Sequence, residues 1–162
     1  LLIEAGQRVA VARLRRTDAG GPRAVVLTGR VLGPSSVRAS LPVILGVRDK
    51  GLKPGDVVQD PMLAEALQVL EICNLVAMRQ ELTVATIEVG HPDRLTVGLT
   101  TGETVLLSRN KLREKLDRLR AMRIEARRRG LDLAVYDMTV DRNFVGRPAT
   151  GAPPAAAAAP AW

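Results

Sequence analysis

The sequence predicts an α+β fold: an antiparallel β-meander, two helices packed on it, a terminal edge strand and a disordered C-terminal tail. Three observations carry the prediction. Leu82–Val89 (LTVATIEV), Arg94–Leu99 (RLTVGL) and Glu103–Leu107 (ETVLL) read as successive strands, parted by the turn strings HPD at His91–Asp93 and TTG at Thr100–Gly102. Two other segments repeat apolar residues at spacings of three and four, the period of a helix with one buried face. From Ala149 the chain reads ATGAPPAAAAAPAW, a Pro and Ala bias with little to bury.

Taken in order, Arg8–Leu14 alternates apolar and polar side chains and reads as a strand. Thr17–Pro22 concentrates turn residues, Ala24–Leu27 makes a short strand, and Arg30–Leu32 pairs back as a hairpin arm. Pro42 argues against a central ladder position for Leu41–Leu45, which is expected to be an irregular buried segment. A loop over Lys50–Gln59 leads to Asp60 as N-cap and Pro61 at the first helical position. That helix is expected to reach about Ala77, with Leu63, Ala66, Leu67 and Leu70 facing the core and Asn74 near its end. Ser108 or Asn110 caps a second helix with Leu112, Leu116, Leu119 and Met122 on one face, and Gly130 ends it. Leu131–Val140 returns to strand periodicity with Leu131, Leu133 and Val135 alternating against Asp132, Ala134 and Tyr136. A turn at Asp141–Asn143 and a short strand at Phe144–Val145 follow.

Composition narrows the function. The 162 residues suit one full domain plus a fragment, at roughly 100 to 200 residues per domain. One Cys and one His cannot build a Cys/His zinc site or a thiol–disulfide couple. No run of about 18 apolar residues is present, so no membrane anchor can be read within the chain. From Arg109 to Arg129 there are ten basic residues against Glu114, Asp117 and Glu125, a difference equal to the whole net charge of +7. The basicity therefore belongs to one helix. With Tyr136 and Phe144 alone near the domain there is almost no base-stacking surface, and the three acids sit at ion-pair spacings, so a solvated charged face is the default reading. Attraction to anionic lipid headgroups is its main rival.

Candidate chemistry is sparse. His91 beside Asp93 has the residue types of a general base, but a turn explains both. Asp132, Asp137 and Asp141 match no calcium loop and are expected to be polar members of an edge strand that discourage unwanted sheet pairing. Cys73 reads as a small buried hydrophobe. Gly51, Pro54 and Gly55 lack the Lys and Ser or Thr of a phosphate-binding loop. No catalytic group, metal site or cofactor is expected. An α+β module ending at a sheet edge is suited to holding a partner, because the edge offers unpaired N–H and C=O groups to an incoming strand.

The ordered set of strings resembles the FtsQ/DivIB cell division family. It comprises VAVARL at Val9–Leu14, TGRVLGPSS at Thr28–Ser36, LPVILG at Leu41–Gly46, EALQVL at Glu65–Leu70, GETVLL at Gly102–Leu107, RNKLREKLDRL at Arg109–Leu119 and LDLAVYDMTVDRNFVGRP at Leu131–Pro148. The resemblance implies a single-pass bacterial inner-membrane protein, with a transmembrane helix upstream of Leu1, a POTRA domain and a C-terminal β domain on the periplasmic side. Residues 1–16 would end the POTRA domain, 17–148 form the FtsQ-like β domain and 149–162 the tail. Proteins similar to this are non-catalytic scaffolds at the division septum that bind the small coiled-coil membrane proteins FtsB and FtsL and help control septal peptidoglycan synthesis. By resemblance the partner surface comprises Tyr136, Met138, Thr139, Val140, Asp141, Asn143, Phe144 and Val145. Arg123 and Arg127 of the basic helix add charge complementarity to an acidic partner segment. Better-known members carry Arg and Tyr where this chain has Thr139 and Val140, and Trp where it has Arg147. Two alternatives stand beside this reading: a nucleic-acid-binding domain using the 109–129 helix, and a POTRA-like module of an outer-membrane assembly or secretion protein.

Overall fold

In the computed structural model of the chain, which describes residues 9–15, 21–48, 51–141 and 144–148, eight strands form one mixed sheet. The elements run β1 (Ala12–Leu14), β2 (Arg23–Val25), β3 (Val43–Leu45), α1 (Pro61–Cys73), α2 (Val76–Arg79), β4 (Val84–Glu88), β5 (Arg94–Leu99), β6 (Thr104–Ser108), α3 (Leu112–Arg128), β7 (Leu133–Met138) and β8 (Val145–Pro148). Their order across the sheet is β2-β1-β3-β4-β5-β6-β7-β8. The expected tail from Ala149, Arg8, the turn residues 17–20, Lys50 and Asn143 lie outside the described residues.

The meander forms as expected, with β4, β5 and β6 antiparallel in sequence order. On either side of it the chain makes a parallel crossover, β3 to β4 through α1 and β6 to β7 through α3. Crossovers of one hand, made in one direction from strands of like orientation, lay both helices on one face, and α1 and α3 pack together there. Register then shows which side chains share the core. Ile87 pairs with Val97, Val97 with Val105 and Val105 with Tyr136, while Leu95, Leu107 and Met138 make a second buried row. Leu63, Ala66, Leu67 and Leu70 from α1 and Leu112, Leu116 and Leu119 from α3 close over them. Each buried Leu, Ile, Val or Met side chain among them contributes about 1.5–3 kcal/mol. The opposite face presents Thr86, Thr96 and Thr104 and is half-buried.

Local signals act as their chemistry dictates. The Asp60 carboxylate accepts from the Met62 N–H at 2.9 Å, with Pro61 opening α1. At the other end of α3, Gly130 sits at φ 67°, its N–H reaching the Arg127 carbonyl while Leu131 N–H reaches that of Ala126, the paired bonds of a Schellman motif. The HPD turn is held by its own His91 Nδ1, which accepts from the Asp93 N–H at 3.2 Å.

Four expectations need correction. Leu41–Leu45 is not irregular: Val43–Leu45 is a central strand, parallel to β1 on one side and β4 on the other. Pro42 stands just before it, losing no ladder donor, and its carbonyl accepts the Arg13 N–H at 2.8 Å. The first helix stops at Cys73, Asn74 turning the chain before the short α2. Neither Ser108 nor Asn110 caps α3: the position belongs to Lys111 at φ 52°, and no side chain caps the helix. In β7 the core phase belongs to Tyr136 and Met138 rather than to Val135, and an irregularity between Leu133 and Val135 turns Leu133 to the core side as well.

Candidate functional site

An open sheet edge is the feature that the fold leaves available. At the far end of the sheet, the outer side of β2 is covered by the chain itself. Val31 bridges Val25, the Leu32 N–H bonds to the Ala24 carbonyl at 2.8 Å, and the Val26 N–H bonds to Arg30 at 3.1 Å. At the near end, β8 pairs with β7 on one side and has no strand partner on the other among the described residues. The backbone groups along that side of Val145–Pro148 are the free donors and acceptors of the sheet. Arg147, exposed, and Pro148, which lacks an N–H, are the residue types that discourage indiscriminate pairing on such an edge.

The strand expected to be that edge is internal. Val135–Asp137 is paired with β6 on one side and β8 on the other, so Asp137 is not an edge residue, and Tyr136 and Met138 point into the core at 3% and 0% exposure. Asp137 instead accepts from the Thr139 backbone N–H at 3.1 Å and hydroxyl at 2.6 Å, and lies 3.7 Å from Arg147 on β8. Those contacts hold its carboxyl below the ordinary range, the Thr139 hydroxyl foremost. Val140 and Val145 are exposed apolar residues flanking the connection, and Phe144 is half-buried under Arg118, whose guanidinium carbon lies 5.4 Å from the ring centre. Asp132 and Asp141 are exposed. Asn143 lies outside the described residues.

The basic helix is less solvated than its composition suggests. Arg113–Asp117, Arg118–Glu114 and Arg129–Glu125 form the expected pairs along its surface. Five other basic residues reach acids far away in sequence, Lys111 meeting Asp141 at 3.6 Å. Arg109 pairs with Glu65 of α1 and donates to the carbonyls of Val89, His91 and Pro92, tying the β4–β5 turn to both helices. Arg123, 7% exposed, meets Glu103 at 2.7 Å; Arg127 meets Glu81; and Lys115, 2% exposed, meets Asp141 at 3.0 Å. The buried pair at Arg123 corrects the expectation of a wholly solvated face, and it leaves that guanidinium unavailable to a partner. Arg127 is exposed but already engaged, and the hydrogen bonds it donates to Glu81 raise its own pKa and lower that of the carboxyl.

Reasoning from sequence missed Gly146, Arg147 and Pro148 as members of the edge. A signal was present, because Pro within a strand marks an edge or a strand end. It also missed Lys115, although its spacing of three from Leu112 and four from Leu119 puts it on the buried stripe of α3.

The fold is an α+β sheet with both long helices on one face and an open edge at β8, and among the described residues no cluster of His, Cys, Asp or Glu could hold a metal. Residues 14–139 match the family described as Cell division protein FtsQ/DivIB, C-terminal, and the chain belongs to that family. It is thus a domain of a cell division protein. The match ends at Thr139, ahead of β8. Comparison with curated proteins returned no match.

Proposed function

We propose that this chain is the extracytoplasmic interaction domain of a non-catalytic, membrane-anchored division scaffold. In this reading it recruits small coiled-coil membrane proteins of the FtsB and FtsL kind to the septum by accepting an extended segment at Val145–Pro148, and so helps control septal peptidoglycan synthesis. Residues 1–16 end a POTRA domain and 17–148 form the β domain, with β1 carried into the common sheet. No helix among the described residues is long and apolar enough to cross a membrane, so the anchor is part of the proposal.

The observation that carries the reading is the free edge of β8, the one sheet edge among the described residues that no other segment covers. A strand added there gains main-chain hydrogen bonds worth about 0.5–1.5 kcal/mol each, largely independent of sequence, which suits a chain with Thr139, Val140 and Arg147 in place of the better-known side chains. The neighbouring α3 contributes positive charge next to that edge, which favours an acidic partner segment.

Titration of this chain with the extracytoplasmic segment of an FtsB-like protein from the same genome tests the reading. Proline is placed singly at Val145, Gly146 and Arg147. N–H groups alternate in direction along a strand, so one parity removes an outward donor and lowers affinity while the domain stays folded. A single-stranded oligonucleotide at two salt concentrations is the control. Unchanged affinity in every folded proline variant sinks the edge assignment, and tight, salt-sensitive oligonucleotide binding alone transfers the function to α3.

A further inference from the structure

Lys115 is a charge in an unfavourable place. It lies in the first turn of α3, where the aligned peptide dipoles leave partial positive charge, and its side chain is 2% exposed. A buried ammonium costs several kcal/mol unless its protons are matched, and an apolar residue would fill the position without that cost. Here four oxygens surround the Nζ: Ser108 Oγ, the Asn110 carbonyl at 3.0 Å, Asn110 Oδ1 at 2.6 Å and Asp141 Oδ1 at 3.0 Å. The left-handed backbone of Lys111, at φ 52°, follows directly after Asn110, whose two oxygens both meet the ammonium. Such a conformation costs a non-glycine residue about 1–2 kcal/mol.

Three of the four oxygens belong to the stretch that leads into α3. The fourth belongs to Asp141, beyond the end of β7, and it is the contact that reaches toward the edge. Asp141 and Phe144 stand on either side of the connection from β7 to β8. Both are tied to one stripe of α3, spaced four and three residues apart: Lys111 at 3.6 Å and Lys115 at 3.0 Å from the Asp141 carboxylate, and Arg118 over the Phe144 ring. We infer that Lys115 is a positioning residue of the binding edge: anchored by Ser108 and Asn110, it holds Asp141 against α3 and so sets where β8 emerges beside β7. The inference rests on the reading of Val145–Pro148 as the partner edge. Without the anchor the β7–β8 ladder still forms, but the edge is less ordered before the partner arrives, and the partner must supply that order at the expense of its affinity.

Two sets of variants test this, measured in the full chain. Asp141→Ala removes an exposed carboxylate and leaves the other three oxygens of Lys115 in place, so the domain stays folded; Asp141→Asn keeps an oxygen able to accept from the ammonium. Lys115→Met replaces the cation by an apolar side chain of similar length. Amide exchange over residues 144–148 reports the order of the edge without any partner, and titration with the FtsB-like segment reports affinity. Asp141→Ala and Lys115→Met are expected to speed exchange in 144–148 and to weaken binding by about tenfold, with exchange over β4–β6 unchanged and Asp141→Asn recovering part of both effects. Faster exchange across the whole sheet, or unaltered exchange at 144–148, overturns the inference. Unaltered affinity in these variants while a β8 proline abolishes binding also overturns it, and leaves the edge reading standing. Unaltered affinity in these variants and in all the β8 prolines sinks both together.

Discussion

Arg123 and Glu103 meet at 2.7 Å between α3 and the β5–β6 turn, the guanidinium 7% and the carboxylate 18% exposed. The Arg123 Nη2 also reaches the Thr101 hydroxyl at 3.2 Å. Breaking one side of such a pair leaves a charge buried without a counter-charge. Glu103→Ala is therefore expected to cost about 3 kcal/mol, read from denaturant unfolding, whereas the double variant Arg123→Met/Glu103→Leu recovers most of that loss. Additive costs in the double variant rule out the pairing.

The same carboxylates fix the acid limit of stability. The hydrogen bond from Arg127 holds Glu81 below its ordinary range. Burial pushes Glu103 up, but hydrogen bonds from Thr101 and Arg123 outweigh it and the group ends low. Asp141 is lowered first by Lys115. A carboxyl depressed in the folded chain stabilises it above the unfolded pKa, about 4, and that contribution disappears as pH falls through the lower folded value. The melting temperature is expected to be level from about pH 7 to 5 and to fall below about pH 4, with a shallower fall in Glu81→Gln/Glu103→Gln. An equally steep acid limb in that variant locates the effect elsewhere.

Cys73 is 3% exposed on the core side of α1, and burial pushes its thiol up to about 12. A neutral, inaccessible thiol neither labels nor oxidises. A thiol-reactive probe at mildly alkaline pH is expected to label the native chain only at its opening rate and the denatured chain at once. Prompt labelling of native protein contradicts the packing of α1.

Gly46 and Gly130 both take positive φ, 85° and 67°, but their surroundings differ. A Cβ on Gly46 would stand 2.7 Å from the Gly90 nitrogen and 3.0 Å from its Cα, backbone that cannot swing aside. Gly130 has nothing within 4 Å. Gly46→Ala is expected to cost more than about 2 kcal/mol and Gly130→Ala about 1 kcal/mol, compared by thermal or denaturant melts. Equal losses place the cost in φ alone.

Much of the body of the fold was legible because its determinants are local. The meander follows from strand-length segments and turn strings, α1 starts where Asp60 and Pro61 satisfy and spare its first N–H groups, and α3 stops at Gly130 because that residue accepts a left-handed backbone. The ordered strings from Val9 to Pro148 were enough to point to the division family. Less of the site was legible. Of the residues expected at the partner surface, Val145 opens β8, while Tyr136 and Met138 are buried in β7, and the open edge is one strand later than periodicity suggested. Arg123 and Lys115 are buried within a helix whose composition reads as solvated.

By itself, then, the sequence determined the meander, the two long helices with their one-sided apolar faces and the concentration of charge in and around α3. Only the tertiary structure decided that Val43–Leu45 is central, that β8 rather than β7 carries the open edge, and which acid each cation meets. Periodicity and capping are settled among neighbours three or four residues apart. Strand order and ion pairing are settled between groups such as Arg127 and Glu81, 46 residues apart, which the crossovers around α1 and α3 bring together.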